Sequence, residues 1–127
     1  MIGMETHHGV PLLLWTRTKE EIRAILSEVA RNQQLISYSE LVGRIKTITL
    51  GPDARALHEM LGEISVEEDT GNRGMLSVVV VHKQGDKKPG AGFFKLAAEL
   101  GRDLSDTDIC WINELQLVYR VYRRKAK

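Results

Sequence analysis

Apolar side chains recur along much of this chain at intervals of three and four residues, which is the spacing of one face of an α-helix. The clearest stretch opens with the capping box Thr18-Lys-Glu-Glu21, in which the hydroxyl accepts from a helical amide and the glutamate reaches back. The pattern predicts a first helix that begins at Thr18 and packs into the core. Its apolar stripe consists of Ile22, Ile25, Leu26 and Val29.

A short second helix is predicted from another capping box, Ser37-Tyr-Ser-Glu40. We expect this helix to end between Arg44 and Lys46, because residues 47–51 are β-branched and finish in a glycine, a composition that favours a turn. The inner face of the helix is formed by Leu41, Val42 and Ile45.

The third helix is predicted to start at Pro52, a residue suited to the first helical position, with Asp53 complementing the helix dipole. The polar, glycine-containing residues 67–74 favour a loop after it. A supporting helix followed by two helices joined by a turn is the order of elements in a helix-turn-helix DNA-binding domain. The apolar stripe of the third helix consists of Leu57, Met60, Leu61 and Ile64.

Residues 75–83 contain four consecutive valines and predict a strand covered on both faces. The glycine-rich residues 84–92 then favour a turn or a wing, with Lys83, Lys87 and Lys88 grouped near its tip. A fourth helix is predicted from Phe93, with Gly101 placed just beyond its C-terminus.

The C-terminal part of the chain predicts a fifth helix over residues 105–123, with Ser105 as a candidate N-cap and a terminal strand over residues 115–123 as the alternative. A basic tail, residues 123–127, follows it. At the other end, residues 1–9 are predicted to be a loose tail, and residues 10–15 a short edge strand or a hydrophobic anchor. The apolar stripe of the fifth helix consists of Trp111, Leu115, Val118 and Tyr122, broadened by Ile109, Ile112 and Tyr119.

Composition narrows the class of protein. The chain has 127 residues, 43% of them hydrophobic and 28% charged, which fits one ordinary globular domain. The predicted elements make that domain α+β and mainly helical. A net charge of +1 excludes a histone-like polycation, so any nucleic-acid binding must come from a local basic patch. A lone cysteine, the lack of a signal-peptide pattern and short apolar runs predict a bacterial-type cytoplasmic protein that does not enter a membrane.

Several catalytic interpretations are weakened by what the sequence lacks. Residues 67–69 and the lysine at 83 have the spacing of a metal-dependent nuclease, but Val81 occupies the position of the required acidic residue. Cys110 lies on a mostly apolar helix with no neighbouring histidine, which favours a structural thiol. His7 and His8 are an isolated pair and are predicted to have no function. We therefore expect neither a metal site nor a cofactor.

Two segments together carry a resemblance to a known family. Leu35-Ile-Ser-Tyr-Ser-Glu-Leu41 and Gly51-Pro-Asp-Ala-Arg-Ala-Leu57 resemble the DNA-binding C-terminal domain of the alkylguanine-DNA alkyltransferases and the alkyltransferase-like proteins. The resemblance covers about residues 35–101, and it includes two valines, a glycine turn and a helix in corresponding places. It implies an alkyltransferase-like, winged helix-turn-helix over residues 18–101, with the C-terminal helix as an addition.

The resemblance implies roles for two residues of this chain, while two other functional positions of the family carry different side chains here. Tyr38 matches the tyrosine that rotates the phosphate of the target nucleotide, and Arg55 matches the arginine that fills the gap left by a flipped base. Ser77 stands where the family has its alkyl-accepting cysteine, and Val78 replaces the activating histidine. A serine without a base is a poor nucleophile, so we expect no alkyl transfer.

These observations lead to one functional prediction and two alternatives. The prediction is non-enzymatic binding of double-stranded DNA, regulatory or structure-sensing, through Tyr38, Arg55, His58, Lys83, Lys87 and Lys88. The first alternative is a protein-interaction or homodimer surface on the aromatic C-terminal helix, which requires Trp111, Tyr119 and Tyr122 to be exposed. The second alternative is an enzyme with a pocket near Ser77 and Tyr38.

Overall fold

Helices make up most of the computed structural model, which describes residues 5–83, 85 and 87–124. The predicted α+β, mainly helical class is confirmed. The α-helices are α1 (Leu12–Arg31), α2 (Tyr38–Arg44), α3 (Arg55–Thr70), α4 (Ala91–Glu99) and α5 (Thr107–Arg124), with a 3-10 helix at Leu76–Val79. The strands are β1 (Thr6–His7) and β2 (Val10–Pro11), which pair antiparallel, and β3 (Ile36–Ser37) and β4 (Val80–Val81), which pair parallel.

The start of α1 differs from the prediction. The helix begins at Leu12, so Thr18 is not a cap but a buried residue on the inner face. The Glu21 carboxylate does not reach back to the helix start; it accepts hydrogen bonds from the Lys46 and Thr47 amides, at 2.8 and 3.1 Å, and from the Thr47 hydroxyl. The capping box was wrong because a partner distant in sequence satisfies Glu21.

The N-terminal residues also differ from the prediction of a loose tail. Residues 6–11 form a hairpin, so only Val10–Pro11 of the predicted edge strand is extended. His8 and Gly9 form its turn with φ angles of 51° and 80°, the left-handed pair that a tight hairpin requires. Residues 1–4 of the predicted tail lie outside the described residues.

The second helix begins as predicted, whereas the third does not. Ser37 Oγ accepts from the Glu40 amide at 3.0 Å, which confirms Ser37 as the N-cap of α2. Pro52 and Asp53 belong to the turn before α3, in which the Ala54 amide donates to the Gly51 carbonyl at 3.1 Å. The helix then continues to Thr70, so the predicted loop starts only at Gly71.

The valine-rich segment is buried as predicted but is not one long strand. Residues 76–79 form the 3-10 helix, and only Val80–Val81 are extended, paired with β3. A continuous apolar run has no periodicity that separates a strand from a buried helix, so the sequence could not distinguish them. The segment packs against α1, α3 and α5, and therefore lies at the centre of the core.

Backbone amides in this buried segment are satisfied by side chains from two helices. Glu114 of α5 accepts from the Met75 amide at 2.7 Å, and Ser65 of α3 accepts from the Ser77 amide at 3.0 Å. The Trp111 indole donates to the Val78 carbonyl at 3.2 Å. Unpaired buried backbone groups are costly, so these contacts fix the positions of α3 and α5 around the segment.

The C-terminal helices follow the predictions in outline. Gly101 has a φ of 91° immediately after the C-cap of α4, as expected, and residues 115–123 are helical, so the strand alternative is wrong. The cap of α5 is Asp106 rather than Ser105, since its Oδ1 accepts from the amides of residues 108 and 109. Ile109 and Ile112 do not broaden the apolar stripe, because they are 56% and 45% exposed. Residues 125–127 of the predicted basic tail lie outside the described residues.

A buried carboxylate joins three helices. Glu68 of α3 is 3% exposed and contacts Arg23 of α1 at 2.6 Å, Arg73 at 2.9 Å and the Tyr122 hydroxyl of α5. Burial opposes its ionisation, but the hydrogen bonds from Arg73 and Tyr122 outweigh burial and lower the Glu68 pKa. Burial of the Tyr122 hydroxyl and its hydrogen bond to Glu68 raise the pKa of Tyr122 to about 12. Glu68 therefore holds α1, α3 and α5 together as a charged group.

We predict that Ser65→Ala destabilises the protein by about 1–3 kcal/mol, the cost of leaving a buried donor unpaired. The Ser65 hydroxyl satisfies the backbone amide of Ser77 and donates to the Ser77 hydroxyl at 2.6 Å. Ser77→Ala is the matched control, because it removes only the contact between hydroxyls. Urea unfolding should rank the wild type as most stable and Ser65→Ala as least stable; the reverse order of the two variants would contradict this role.

We also predict an acid-dependent loss of stability that involves Glu68. The folded-state pKa lies below its ordinary 4.5, so the stabilisation is complete above that value and is lost as the pH falls through the folded pKa. Glu68→Gln should cost about 2 kcal/mol at pH 7, and its difference from the wild type should narrow in acid. Chemical unfolding between pH 7 and 3 measures this, with the exposed Glu28→Gln as the control.

Candidate nucleic-acid interface

The N-terminal end of α3 presents an exposed arginine. Arg55 is the first residue of the helix, and the buried Ala56 and Leu57 direct the next positions into the core. The helix has no side-chain cap, so the amides of its first turn are available at the positive end of the helix dipole. Among the described residues Arg55 forms no ion pair, and Glu59 contacts His7 and His8 instead. This end of α3 is suited to meeting an anion.

Tyr38 lies between two histidines behind this surface. Its ring centroid is 5.1 Å from that of His58 and 5.2 Å from that of His82. Its hydroxyl accepts from the Gly90 amide at 3.0 Å, and burial, opposed by this amide, raises the Tyr38 pKa. A Cβ at Gly90 would lie 3.2 Å from His82 Nε2 and 3.3 Å from the Tyr38 oxygen, so glycine permits this close approach. Tyr38 is therefore a packed residue that ties β4, α2 and α4 together.

The predicted phosphate-binding lysines differ in their surroundings. Lys83 and Lys87 are exposed, whereas Lys88 is partly buried and forms an ion pair with Asp108 of α5. One cavity is lined by both His58 and Lys83, together with Pro52 and Asp53 from the turn before α3. The structure thus brings together His58 and Lys83, and it directs Lys88 towards α5.

Two carboxylates of α3, those of Glu63 and Glu67, form ion pairs with α1. Glu63 accepts from the Trp15 indole at 2.9 Å and pairs with Lys19 at 3.0 Å. Glu67 pairs with Lys19 at 2.6 Å and with Arg23. Burial of Glu67 is outweighed by the hydrogen bonds from these two cations, which lower its pKa. These carboxylates are neutralised within the chain.

A cavity of about 230 Å³ lies between α3 and α4. Its lining includes Tyr38 and Ser77, near which a pocket was predicted, together with His58, Lys95 and Glu99. The Ser77 hydroxyl is paired with that of Ser65, and His58 Nε2 is 3.1 Å from the Pro52 carbonyl. Lys95 and Glu99 lie one turn apart on α4, but no sequence motif links them to α2 or α3.

The nuclease-like carboxylates are engaged in ion pairs. Besides Glu67 and Glu68, Asp69 pairs with Arg102 at 2.7 Å, and Arg102 also contacts Glu114 at 2.8 Å. A metal-binding set would need these carboxylates free, whereas Arg23 is shared by Glu67 and Glu68, and Asp69 binds Arg102. The buried Cys110 has a raised pKa, mainly because burial disfavours the thiolate, as expected for a structural thiol.

The aromatic stripe of α5 packs against the rest of the chain, with Tyr122 buried and Trp111 and Tyr119 half-buried. Tyr122 is buried and Trp111 bonds to the Val78 carbonyl. The Tyr119 hydroxyl donates to the Gln34 carbonyl at 2.6 Å. The interaction-surface alternative requires all three rings to be exposed, and Tyr122 does not meet this requirement.

Comparisons with protein-family models, curated proteins and solved structures gave no match for this chain. The resemblance to alkyltransferase domains thus rests on the short sequence motifs alone. Among the described residues, no helix is both long enough and apolar enough to cross a bilayer.

We predict that Tyr38→Phe loosens the segment before α4. The substitution keeps the ring between the two histidines but leaves the Gly90 amide without its hydroxyl acceptor. Stability should fall by about 1 kcal/mol, and the Gly90 amide should exchange faster in hydrogen-exchange NMR. Tyr119→Phe is the matched control, since its hydroxyl contacts Gln34 and not this segment. Unchanged exchange at Gly90 would show that the hydroxyl is not structural.

Proposed function

We propose that the protein binds double-stranded DNA without catalysis, using the N-terminal end of α3. The observation that carries this proposal is Arg55, an exposed arginine without an ion pair among the described residues, at the uncapped start of a helix. An arginine in this position can form bidentate hydrogen bonds with a guanine edge or enter a narrow groove. His58, one turn further along, lies on the same side of the helix.

The neighbouring lysines supply the phosphate contacts in this proposal. Lys83 shares a cavity lining with His58, and Lys87 is exposed on the loop that follows. Lys88 makes a smaller contribution, because Asp108 offsets its charge. Glu63 and Glu67 of α3 are paired with Lys19 of α1, which reduces the repulsion that they would exert on a phosphate backbone. Four glutamates still line the groove that contains Arg55 and His58, so the proposal depends on individual basic side chains.

The arrangement that we propose is a helix-turn-helix in which α3 is the recognition helix. α2 precedes it, α1 packs against both, and residues 45–54 connect them. This connection is longer than the usual three to four residues. The loop after β4 corresponds to the wing in this proposal, although its described residues contain no strand and residues 84 and 86 lie outside the description.

The surroundings of Ser77 support a non-enzymatic function. Its hydroxyl partner is another serine, so no adjacent base activates it among the described residues. A second candidate function, binding of a small polar ligand in the cavity between α3 and α4, is favoured by the side chains of His58, Lys95 and Glu99 in its lining. The cavity itself measures about 230 Å³, and a larger open groove of about 920 Å³ shares His58, Lys95 and Glu99 with it. We place DNA binding first because of Arg55 at the uncapped start of α3.

We predict that Arg55→Ala weakens duplex binding by about 1–3 kcal/mol, or roughly 5–150-fold, since it removes a groove contact. Lys83→Ala should weaken binding to all sequences alike and reduce the slope of log K against log salt by about 1. Fluorescence anisotropy with a labelled duplex at two or more salt concentrations measures both effects.

Arg120→Ala is the matched control, because Arg120 is an exposed arginine on α5, a different part of the surface. Its affinity should equal that of the wild type. Absence of duplex binding, or binding that Arg55→Ala and Arg120→Ala reduce equally, would overturn the proposal. Far-UV circular dichroism of each variant separates a lost contact from a lost fold.

A further inference from the structure

Two histidines and a glutamate that are distant in sequence converge beside α3. The Nε2 atom of His7 is 3.2 Å from Glu59 Oε2, and the Nε2 atom of His8 is 3.4 Å from Glu59 Oε1. One ligand atom from each residue can be chosen so that all three lie within 4.8 Å of one another. No sequence pattern joins these residues, because 52 positions separate His7 from Glu59.

The hairpin explains why both imidazoles face the same carboxylate. Adjacent residues of a regular strand point to opposite sides, but His8 has left the strand and adopts a φ of 51° in the turn. The two rings consequently lie 4.5 Å apart. The His7 ring also contacts the edge of Trp15, with centroids 4.5 Å apart, and Trp15 is buried against α3. Packing therefore orients His7 towards the helix.

The spacing of these atoms fits a first-row transition metal. Tetrahedral zinc binds nitrogen and oxygen at about 2.0–2.2 Å, which places neighbouring ligand atoms about 3.4 Å apart. The two nitrogen–oxygen distances, 3.2 and 3.4 Å, are close to this separation, but they go to different oxygens of Glu59. With one oxygen chosen, the three ligand atoms lie within 4.8 Å of one another, so small side-chain rotations would bring them onto one ion. Two imidazoles and one carboxylate are ligands that Zn²⁺, Co²⁺ and Ni²⁺ accept, whereas Mg²⁺ and Ca²⁺ prefer oxygen alone.

We propose that His7, His8 and Glu59 form a binding site for a divalent transition metal, with Zn²⁺ as the reference ion. Their side chains are 45%, 27% and 43% exposed, so an ion reaches them from solvent and retains at least one position for water. The ion would join the hairpin to the first turns of α3. This site is separate from the proposed DNA-binding function and does not depend on it.

The test uses the full chain with any affinity tag removed, after treatment with a chelator and dialysis. Competition between the protein and a chromophoric chelator for Zn²⁺ should give one ion per chain. His7→Asn, His8→Asn and Glu59→Gln should each weaken binding by about tenfold or more, as expected when a ligand is lost. Asparagine suits position 8 because it tolerates a positive φ better than most residues.

The controls are His82→Asn and Glu28→Gln, which remove a histidine and an exposed glutamate elsewhere in the chain. Both should bind Zn²⁺ as tightly as the wild type. A second measurement does not depend on the chelator: Zn²⁺ should raise the melting temperature of the wild type and of both controls, but not that of Glu59→Gln. Visible absorption of the Co²⁺ complex should report nitrogen and oxygen ligands in a low-coordinate site.

The opposite results would overturn the proposal. If Zn²⁺ does not bind at one equivalent, or if Glu59→Gln and His8→Asn bind as tightly as the controls, the cluster is an imidazole–carboxylate ion pair only. If a ligand variant loses its fold by circular dichroism, the other two variants and the Co²⁺ spectrum of the wild type decide the question. An octahedral Co²⁺ spectrum identical to that of the aqueous ion would also reject the site.

Discussion

The structure depends on burying one segment, Met75–Val81, without leaving its backbone unpaired. Its side chains are apolar, with the exception of Ser77, and they face α1, α3 and α5 at once. A segment surrounded by helices cannot obtain its hydrogen bonds from water. Ser65, Glu114 and the β3 ladder provide partners for its amides instead. The positions of α3, α5 and β3 follow from this requirement, since each of the three brings a polar group to a defined amide of the segment.

The same requirement gives the two halves of α3 different contacts. Its C-terminal half is occupied by internal contacts: Ser65 serves the buried segment, and Glu68 and Asp69 bind arginines from other elements. Its N-terminal half packs through Leu57 and Met60 and contacts the hairpin through Glu59, while Arg55 and His58 remain at the surface. A helix anchored firmly at one end presents the other end in a fixed orientation, which is what a recognition helix requires.

Local signals in the sequence predicted local structure well. The cap at Ser37, the glycine after α4 and the apolar stripes of α1 and α3 depend on neighbours within one or two turns, and all were confirmed. The errors arose where a distant partner decided the outcome. Glu21 binds residues 46 and 47 instead of its own helix, and four valines are divided between a 3-10 helix and a strand by packing. In the candidate site, Arg55 and His58 were predicted from sequence, but Lys95 and the hairpin histidines required the fold.

The two proposals meet at the first turns of α3. Arg55 and Glu59 are four residues apart and lie on the same side of the helix, where they would ordinarily attract each other. Glu59 contacts His7 and His8 instead, and these hydrogen bonds lower its pKa. Because the hairpin histidines hold the Glu59 carboxylate, it competes less for the Arg55 guanidinium. This holds whether the histidines contact Glu59 directly or through a bound metal ion. The hairpin thus supports the proposed DNA contact from outside it, by occupying the acidic neighbour that would otherwise neutralise Arg55.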